Sequence, residues 1–251
     1  MPDPQFEVRL AASDADLRAA QALRYRVFVA ELGGGGAMVD HEAGLERDRF
    51  DGFADHMLLI DHGQGGAVVG VYRLMREAHA AAAGQFYSED EYDLAPLRAS
   101  ERRLLELGRS CLLPDYRGGA AMYHLWNGLA AYVEAHDIEV LFGVASFHGT
   151  DIAALAQPLS LLWHRHLAPE RLRVRAKAYQ RMDLVPEAAL DRREAMLKVP
   201  ALIKAYLRLG GVVGDGAFVD HAFNTTDVCL IMDTARMNAQ RAKLYAQEGR
   251  R

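Results

Sequence analysis

Arg103–Gly119, RLLELGRSCLLPDYRGG, is the stretch from which the fold is read. Arg103–Leu112 is an apolar run of strand length that carries a carboxylate and a guanidinium, Glu106 and Arg109, through its middle. It breaks at Pro114 and runs through Arg117-Gly118-Gly119 into a helix. A buried strand has little reason to hold charges, because isolated charges are costly away from water. Strict alternation would put residues three apart on opposite faces. Gly108 lies between them, and glycine inside a strand often marks a bulge. A bulge at Gly108 would bring Glu106 and Arg109 to one side, splay the strand and free a backbone N–H as an oxyanion donor. The plain alternative is an edge-strand ion pair in solvent, and the apolar flanks weigh against it. The glycine turn adds bare N–H groups and the positive end of a helix dipole, which suit a phosphate. By itself that signal is weak; its place directly after a polar strand raises its weight.

The flanking sequence supplies a frame. Phe6–Leu10 alternates and predicts a first strand. Ser13 and Asp16 resemble a capping box opening a helix whose apolar face includes Leu17, Ala20, Leu23 and Val27, and which also carries Arg24 and Phe28. Gly33–Gly36 ends that helix and opens a loop with the acidic, aromatic run Glu46–Asp51. Met57–Asp61 and Ala67–Met75 read as two strands joined at His62–Gly66. Ala78–Gly84 reads as a small-residue connection and Tyr92–Ala99 as one short helix. After the central strand come a helix at Ala120–His136, a strand at Glu139–Ala145 and a helix at Asp151–His166 interrupted at Pro158. Arg171–Ala178 reads as a basic strand, Lys198–Leu209 as an amphipathic basic helix, Val212–Val219 and Val228–Met232 as strands, and Thr234–Glu248 as a closing helix. Paired strands followed by strand–helix alternation predict an α/β (α+β) fold, a mixed central sheet flanked by helices, in one domain over residues 1–251.

Bulk properties narrow the function classes. The 251 residues are 51% hydrophobic and 25% charged, an ordinary globular balance. A net charge of −5 argues against nucleic acid as a partner. Two cysteines, Cys111 and Cys229, have no paired spacing, which fits a reducing compartment and gives neither a disulfide framework nor a zinc site. His164 and His166 lack further ligands at metal spacing, so no metal site and no bound cofactor are expected. The N-terminus shows no signal peptide and no apolar run is long enough to span a bilayer. The expected location is cytoplasmic, with peripheral contact at the inner membrane face open through the basic helix Lys198–Leu209, although packing on its own domain is the commoner use of such a helix.

Other motifs were weighed against plainer uses. Asp48 and Asp51 are suited to a substrate ammonium group, but an acidic loop run is usually a solvated face. His56 and Asp61 have the H-x-x-x-x-D spacing of glycerolipid acyltransferases, yet five residues along a strand puts them on opposite faces. Gly143–Gly149 lacks the spacing of a nucleophile elbow. Cys111 fits a small buried residue better than a nucleophile.

Taken together, LRYRVFVAELG, ERDRFD, GVYRLM and LELGRSCL resemble the branch of the GNAT acyltransferase superfamily that includes acyl-homoserine lactone synthases. The matching positions are Arg24, Phe28, Asp48, Asp51, Arg73, Glu106 and Arg109. The loop lacks the Trp usual in those synthases, and the chain has a longer C-terminal part. That part, PALIKAYLRLGGVVGDGAFVDHAFNTTDVCLIMD, is similar to bacterial ornithine N-acyltransferases, as are LELGRSCLLPDYRGG and HLAPERLRVRA. The resemblance covers roughly residues 5–232. It implies a GNAT-like fold with a C-terminal extension from about residue 168. It implies transfer of a 3-hydroxyacyl chain from acyl carrier protein to the α-amine of ornithine, for ornithine-lipid synthesis. It implies Glu106 and Arg109 as catalytic, and Arg24, Phe28, Asp48, Asp51 and Arg73 as substrate-binding. Arg117, Gly118 and Gly119 would hold the phosphate of the carrier's phosphopantetheine. Arg24, Arg73 and Arg109 stay open between the amino-acid carboxylate, pairing with the acids and carrier docking. The alternatives are an acyl-homoserine lactone synthase and a non-catalytic acyl-carrier or acyl-ligand binding module.

Overall fold

The computed structural model describes residues 4–117 and 119–237. In chain order the elements begin β1 (Phe6–Leu10), α1 (Asp14–Arg24), β2 (Asp55–Asp61), β3 (Ala67–Arg76), α2 (Glu77–Ala83), β4 (Tyr92–Asp93), α3 (Ala95–Arg98), β5 (Leu104–Leu112) and α4 (Ala121–Ala135). They continue with β6 (Val140–His148), α5 (Ala156–His166), β7 (Arg175–Ala176), α6 (Arg192–Lys198), α7 (Ala201–Arg208), β8 (Val212–Val213), β9 (Phe218–Asp220) and β10 (Thr225–Asp233). These form two compact units, Met1–Tyr87 with Glu106–Asp137, and Ser88–Leu105 with Ile138–Arg251.

In the first unit β1, β2 and β3 are antiparallel neighbours and β5 lies beside β3. Ser13 caps α1, its Oγ accepting from the Asp16 N–H at 3.2 Å. Only half of the capping box forms, because the Asp16 carboxylate turns instead to the Ala12 N–H and to Arg9. Spacing of three and four residues puts Ala20, Leu23 and Val27 on one face of the helix. They pack with Leu58, Ile60, Val71 and Cys111, and Phe28 lies against that cluster. Each valine, leucine or isoleucine among them contributes roughly 1.5–3 kcal/mol on burial. Beyond Arg24 the helix widens into a π turn over Tyr25–Glu31. Helix α4 packs on β1 and β2 through Gly128, where a Cβ would stand 2.5 Å from Val8 Cγ1 and 3.2 Å from Met57 Sδ.

In the second unit β10 pairs antiparallel with β6 on one side and with β8 and β9 on the other, and its middle is buried. Leu159 and Leu162 of α5, Ala195 of α6 and Ile203 and Tyr206 of α7 complete that core.

Several elements differ from expectation for identifiable reasons. The small-residue connection is the helix α2, because its alanines have the highest helix propensity, and Gly84 ends it at φ 91°. Tyr92–Ala99 divides into β4, paired with β7, and the short helix α3, whose Ala95 N–H is held by Asp93 Oδ1 at 2.9 Å. Helix α5 starts at Ala156, so Pro158 sits in its first turn, where a missing N–H breaks no helical bond. Asp151 instead holds the Ala153 and Ala154 N–H groups in a preceding turn. The basic strand reduces to Arg175–Ala176. The amphipathic helix is Ala201–Arg208 with Pro200 at its cap, and Lys198 closes the preceding helix. Gly214 and Gly216, the latter at φ 82°, split the first late strand into β8 and β9. The closing helix is present through Met237; the rest of it, like Gly118, lies outside the described residues.

Candidate active site

The first unit gathers six of the ten singled-out positions around one polar centre. Helix α1 supplies Arg24, the loop before β2 supplies Asp48 and Asp51, β3 supplies Arg73, and β5 supplies Glu106 and Arg109. Arg24 is fully buried. Its Nε donates to Glu46, its Nη1 to Asp51 Oδ1 at 2.7 Å, and its Nη2 to the Glu46 carbonyl at 2.8 Å and Asp51 Oδ2 at 3.0 Å. Gln21, one turn earlier on α1, donates to Asp51 Oδ2 at 3.0 Å. Arg73 Nη1 donates to both Asp48 oxygens at 2.6 Å and to Asp51 Oδ1 at 3.0 Å. Arg109 donates from Nε to Glu46 Oε1 at 3.1 Å and from Nη2 to Asp48 Oδ2 at 2.9 Å. Three guanidinium groups thus face three carboxylates, and their formal charges cancel.

That pairing governs the protonation states. Burial works against the charge of Arg24, but Glu46 and Asp51 outweigh it and hold the guanidinium above its usual range. Arg109 is likewise lifted well above its ordinary value, against burial, by Tyr87, Glu46 and Asp48. Burial alone would raise Asp48 and Asp51; Arg73 with Arg109, and Arg24 with Arg73, hold the two carboxyls below their usual range. His56 stands directly across from Arg73 in the β2–β3 register and donates from Nε2 to the Asp51 carbonyl at 3.0 Å. Burial pushes its pKa down. Asp61 is engaged elsewhere, with the Gln5 and Gly63 N–H groups and the Tyr116 hydroxyl, so His56 and Asp61 form no pair.

Glu106 is 3% exposed on β5. One of its oxygens, Oε2, accepts from the Tyr87 backbone N–H at 2.9 Å. The strand distortion expected at Gly108 is centred one residue on. Gly108 keeps an ordinary φ, while Arg109 takes φ 51°, a left-handed conformation uncommon for a residue with a side chain and costing of order 1–3 kcal/mol. Glu106 and Arg109 meet at Tyr87, since the Arg109 guanidinium carbon lies 4.6 Å from that ring's centre. The ring also faces Arg73 at 5.2 Å and meets Phe50 edge-on at 5.6 Å.

Gly118 lies outside the described residues, and Phe28, Arg117 and Gly119 make none of the ion pairs of the polar centre. Phe28 packs in the α1 cluster. Arg117 is exposed, and both its Nη atoms bind Glu31, at 2.6 and 2.7 Å, while its Nε donates to the Leu112 carbonyl at 3.1 Å. Gly119 is exposed, and α4 starts after Ala120 with no side-chain cap. The Cys111 thiol is buried and its pKa driven up, which removes nucleophilic character at neutral pH.

Sequence reasoning did not assign Glu46, Gln21, Phe50 or Tyr87. Glu46 opens the ERDRFD run and Phe50 lies within it, so the run itself was the available signal. Nothing local marks Tyr87. In the second unit His164 Nε2 donates to the Val185 carbonyl at 2.9 Å. Glu91, Asp220 and Asp227 bring carboxylate oxygens within 4.8 Å of one another there. Three carboxylates alone do not make a cation site, and they are given no role.

Comparison with known proteins follows the same lines. Residues 23–127 match the family described as acetyltransferase (GNAT) domain. An L-ornithine N(alpha)-acyltransferase of Rhodobacter capsulatus is 61% identical over 251 residues, covering 98% of this chain and 97% of the relative. One from Brucella abortus is 45% identical, covering 98% of this chain and 90% of the relative. Among solved structures, the N-acyl amino acid synthase FeeM from uncultured soil microbes aligns with a TM-score of 0.57 at 12% identity, over 95% of both chains. The CoA-dependent acyl-homoserine lactone synthase BjaI aligns with a TM-score of 0.52 at 14% identity, over 96% of this chain and 89% of that one. At such identities the structures speak to the fold alone. That fold is GNAT-like, a mixed α/β arrangement with a central sheet flanked by helices.

Proposed function

The chain belongs to the L-ornithine N(alpha)-acyltransferase family and is an N-acyltransferase, and from that premise we propose that it moves a 3-hydroxyacyl chain from acyl carrier protein to the α-amine of L-ornithine, giving lyso-ornithine lipid. The names of two relatives that match nearly the whole chain support ornithine as the acceptor. One observation carries the chemistry: a buried carboxylate, Glu106, in a strand with apolar flanks, near a backbone turned left-handed at Arg109.

The donor is already an activated thioester, so no covalent enzyme intermediate is needed. The acceptor arrives as an ammonium ion. Glu106, with Oε2 held by the Tyr87 N–H, takes one proton from it, directly or through a water. A positioned base of this kind contributes typically about 10²–10⁴-fold. The neutral amine attacks the thioester carbon, forming the C–N bond. The carbonyl oxygen becomes an oxyanion, and the irregular strand at Gly108–Arg109 is the proposed donor of backbone N–H to it. Collapse breaks the C–S bond, and the departing thiolate leaves with the second amine proton as a thiol.

Asp48 and Asp51 set the charge around the ornithine ammonium groups, Arg24, Arg73 and Arg109 fix that wall, and Phe28 packs with the apolar face of α1, the helix that carries Arg24. The ion-pair network supports this supporting role for Arg24, each of whose three guanidinium nitrogens donates to Glu46 or Asp51. Arg117, Gly118 and Gly119 are proposed to receive the phosphopantetheine phosphate at the start of α4, which has no side-chain cap to compete. Arg117 must then give up Glu31 to do so. Among the described residues no helix is long and apolar enough to cross a membrane. Peripheral contact with a membrane surface from the cytoplasmic side is proposed for the basic segment Lys198–Leu209, beside which Leu197 is 63% exposed.

The test is direct. The purified protein incubated with 3-hydroxyacyl carrier protein and ornithine should yield acyl-ornithine by mass spectrometry. Product from S-adenosylmethionine instead of ornithine, or no transfer at all, would overturn the reading.

A further inference from the structure

We propose that Tyr87 is a positioning residue that holds the base and the arginine network in one register. This rests on Glu106 being the base. The chain reaches Tyr87 through a fixed path: α2 ends at Gly84 with φ 91°, and Phe86 is fully buried, anchoring the segment immediately before it. That anchoring aims the Tyr87 backbone N–H at Glu106 Oε2, 2.9 Å away. It also sets the half-buried ring among the cationic groups, 4.6 Å from Arg109 and 5.2 Å from Arg73, with Phe50 edge-on at 5.6 Å. Main chain and side chain of one residue therefore grip opposite sides of the site. The main chain fixes one oxygen of the carboxylate. The ring holds the guanidinium of Arg109, the residue whose backbone carries the strand distortion.

Two consequences separate this role from simple packing. A hydrogen bond to the ionised form of a carboxylate favours that form. Loosening the Tyr87 segment should therefore make Glu106 harder to ionise and move the acid limb of the kcat–pH profile to higher pH. Misplacing the base should lower kcat and leave ground-state binding of both substrates nearly untouched. Arg109 meets both the ring face and the hydroxyl of Tyr87, so phenylalanine should keep part of the effect and an aliphatic side chain none of it.

The experiment is a kcat–pH profile, with KM for both substrates, of wild type, Tyr87→Phe, Tyr87→Leu and Tyr87→Ala. Tyr87→Phe, which keeps the ring and loses the hydroxyl, should fall between wild type and Tyr87→Leu in kcat. Tyr87→Leu and Tyr87→Ala should lose at least about tenfold in kcat, a modest share of what misplacement by an ångström can cost, with the acid limb displaced upward. If Tyr87→Ala does not fold, Tyr87→Leu keeps an apolar side chain while lacking the ring and its hydroxyl, and carries the test. Unchanged kcat and profile in the leucine variant, while Glu106→Gln is inactive, would overturn the role of Tyr87 alone. Full activity in Glu106→Gln would overturn the base assignment beneath it.

Discussion

At the scale of single residues, three arginines that sequence treats alike have different environments. Arg24 is sealed, with each of its three guanidinium nitrogens bound to Glu46 or Asp51. Breaking a buried ion pair by removing one partner typically costs about 3–5 kcal/mol, because the other charges are left uncompensated. Arg24→Gln is therefore expected to lose stability of that order in urea unfolding, and inactivity in that variant would say nothing about catalysis. Glu106→Gln is the contrasting case. It keeps the shape and an acceptor for the Tyr87 N–H, so folding should survive while turnover falls by about 10²–10⁴-fold. Glu31 marks a third kind of position. It occupies Arg117, and that guanidinium holds the Glu31 carboxyl below its usual value. Exposed pairs of this type are worth no more than about 1 kcal/mol, so Glu31→Gln should leave stability unchanged. Freeing Arg117 should lower KM for the acylated carrier by a few fold; a raised KM would separate Arg117 from phosphate binding.

At the scale of elements, close approach of backbone decides the packing of α4. A side chain at Gly128 would meet Val8 and Met57. Gly128→Val should cost about 1–3 kcal/mol through overpacking, read as a lower urea midpoint without a change in slope. This contact also illustrates what the sequence made legible. The helix was evident from the spacing of Leu125, Leu129 and Tyr132, and the hairpin from alternation around His62–Gly66; both signals are local and periodic. The need for glycine at position 128 depends on β1, more than a hundred positions away in the chain, and has no local mark. The same distinction holds in the site. Glu106 and Arg109 stood out because charge in an apolar strand is anomalous. Tyr87 did not, because half of what it contributes is a backbone N–H. Helix α2 was missed for a different reason: a run of alanines carries no amphipathic pattern, yet propensity alone favours the helix once Gly84 can end it.

For the molecule as a whole, the polar centre couples pH to stability in two windows. His56 has a folded pKa below its usual value. Its contribution is complete above the unfolded value of about 6.5 and declines as pH falls from there toward the depressed folded value, because the unfolded chain takes up the proton first. Asp48 and Asp51 are also depressed. Their contribution is present above about 3.8–4, the unfolded range, and is lost as pH falls through the lower folded values. Urea unfolding followed from pH 7.5 to 4.5 should therefore show a decline that is shallower in His56→Gln than in wild type; identical slopes would mean that His56 is not held neutral by the fold. Activity depends on the same centre, and the central claim is that Glu106 drives acyl transfer from a carrier-bound thioester to the amine of ornithine. The most direct test is product mass spectrometry on wild type and Glu106→Gln, each incubated with 3-hydroxyacyl carrier protein and ornithine. The account predicts N-acyl-ornithine from wild type and at most about a hundredth of that rate from a folded Glu106→Gln. Equal product from both proteins, or none from wild type, would contradict it.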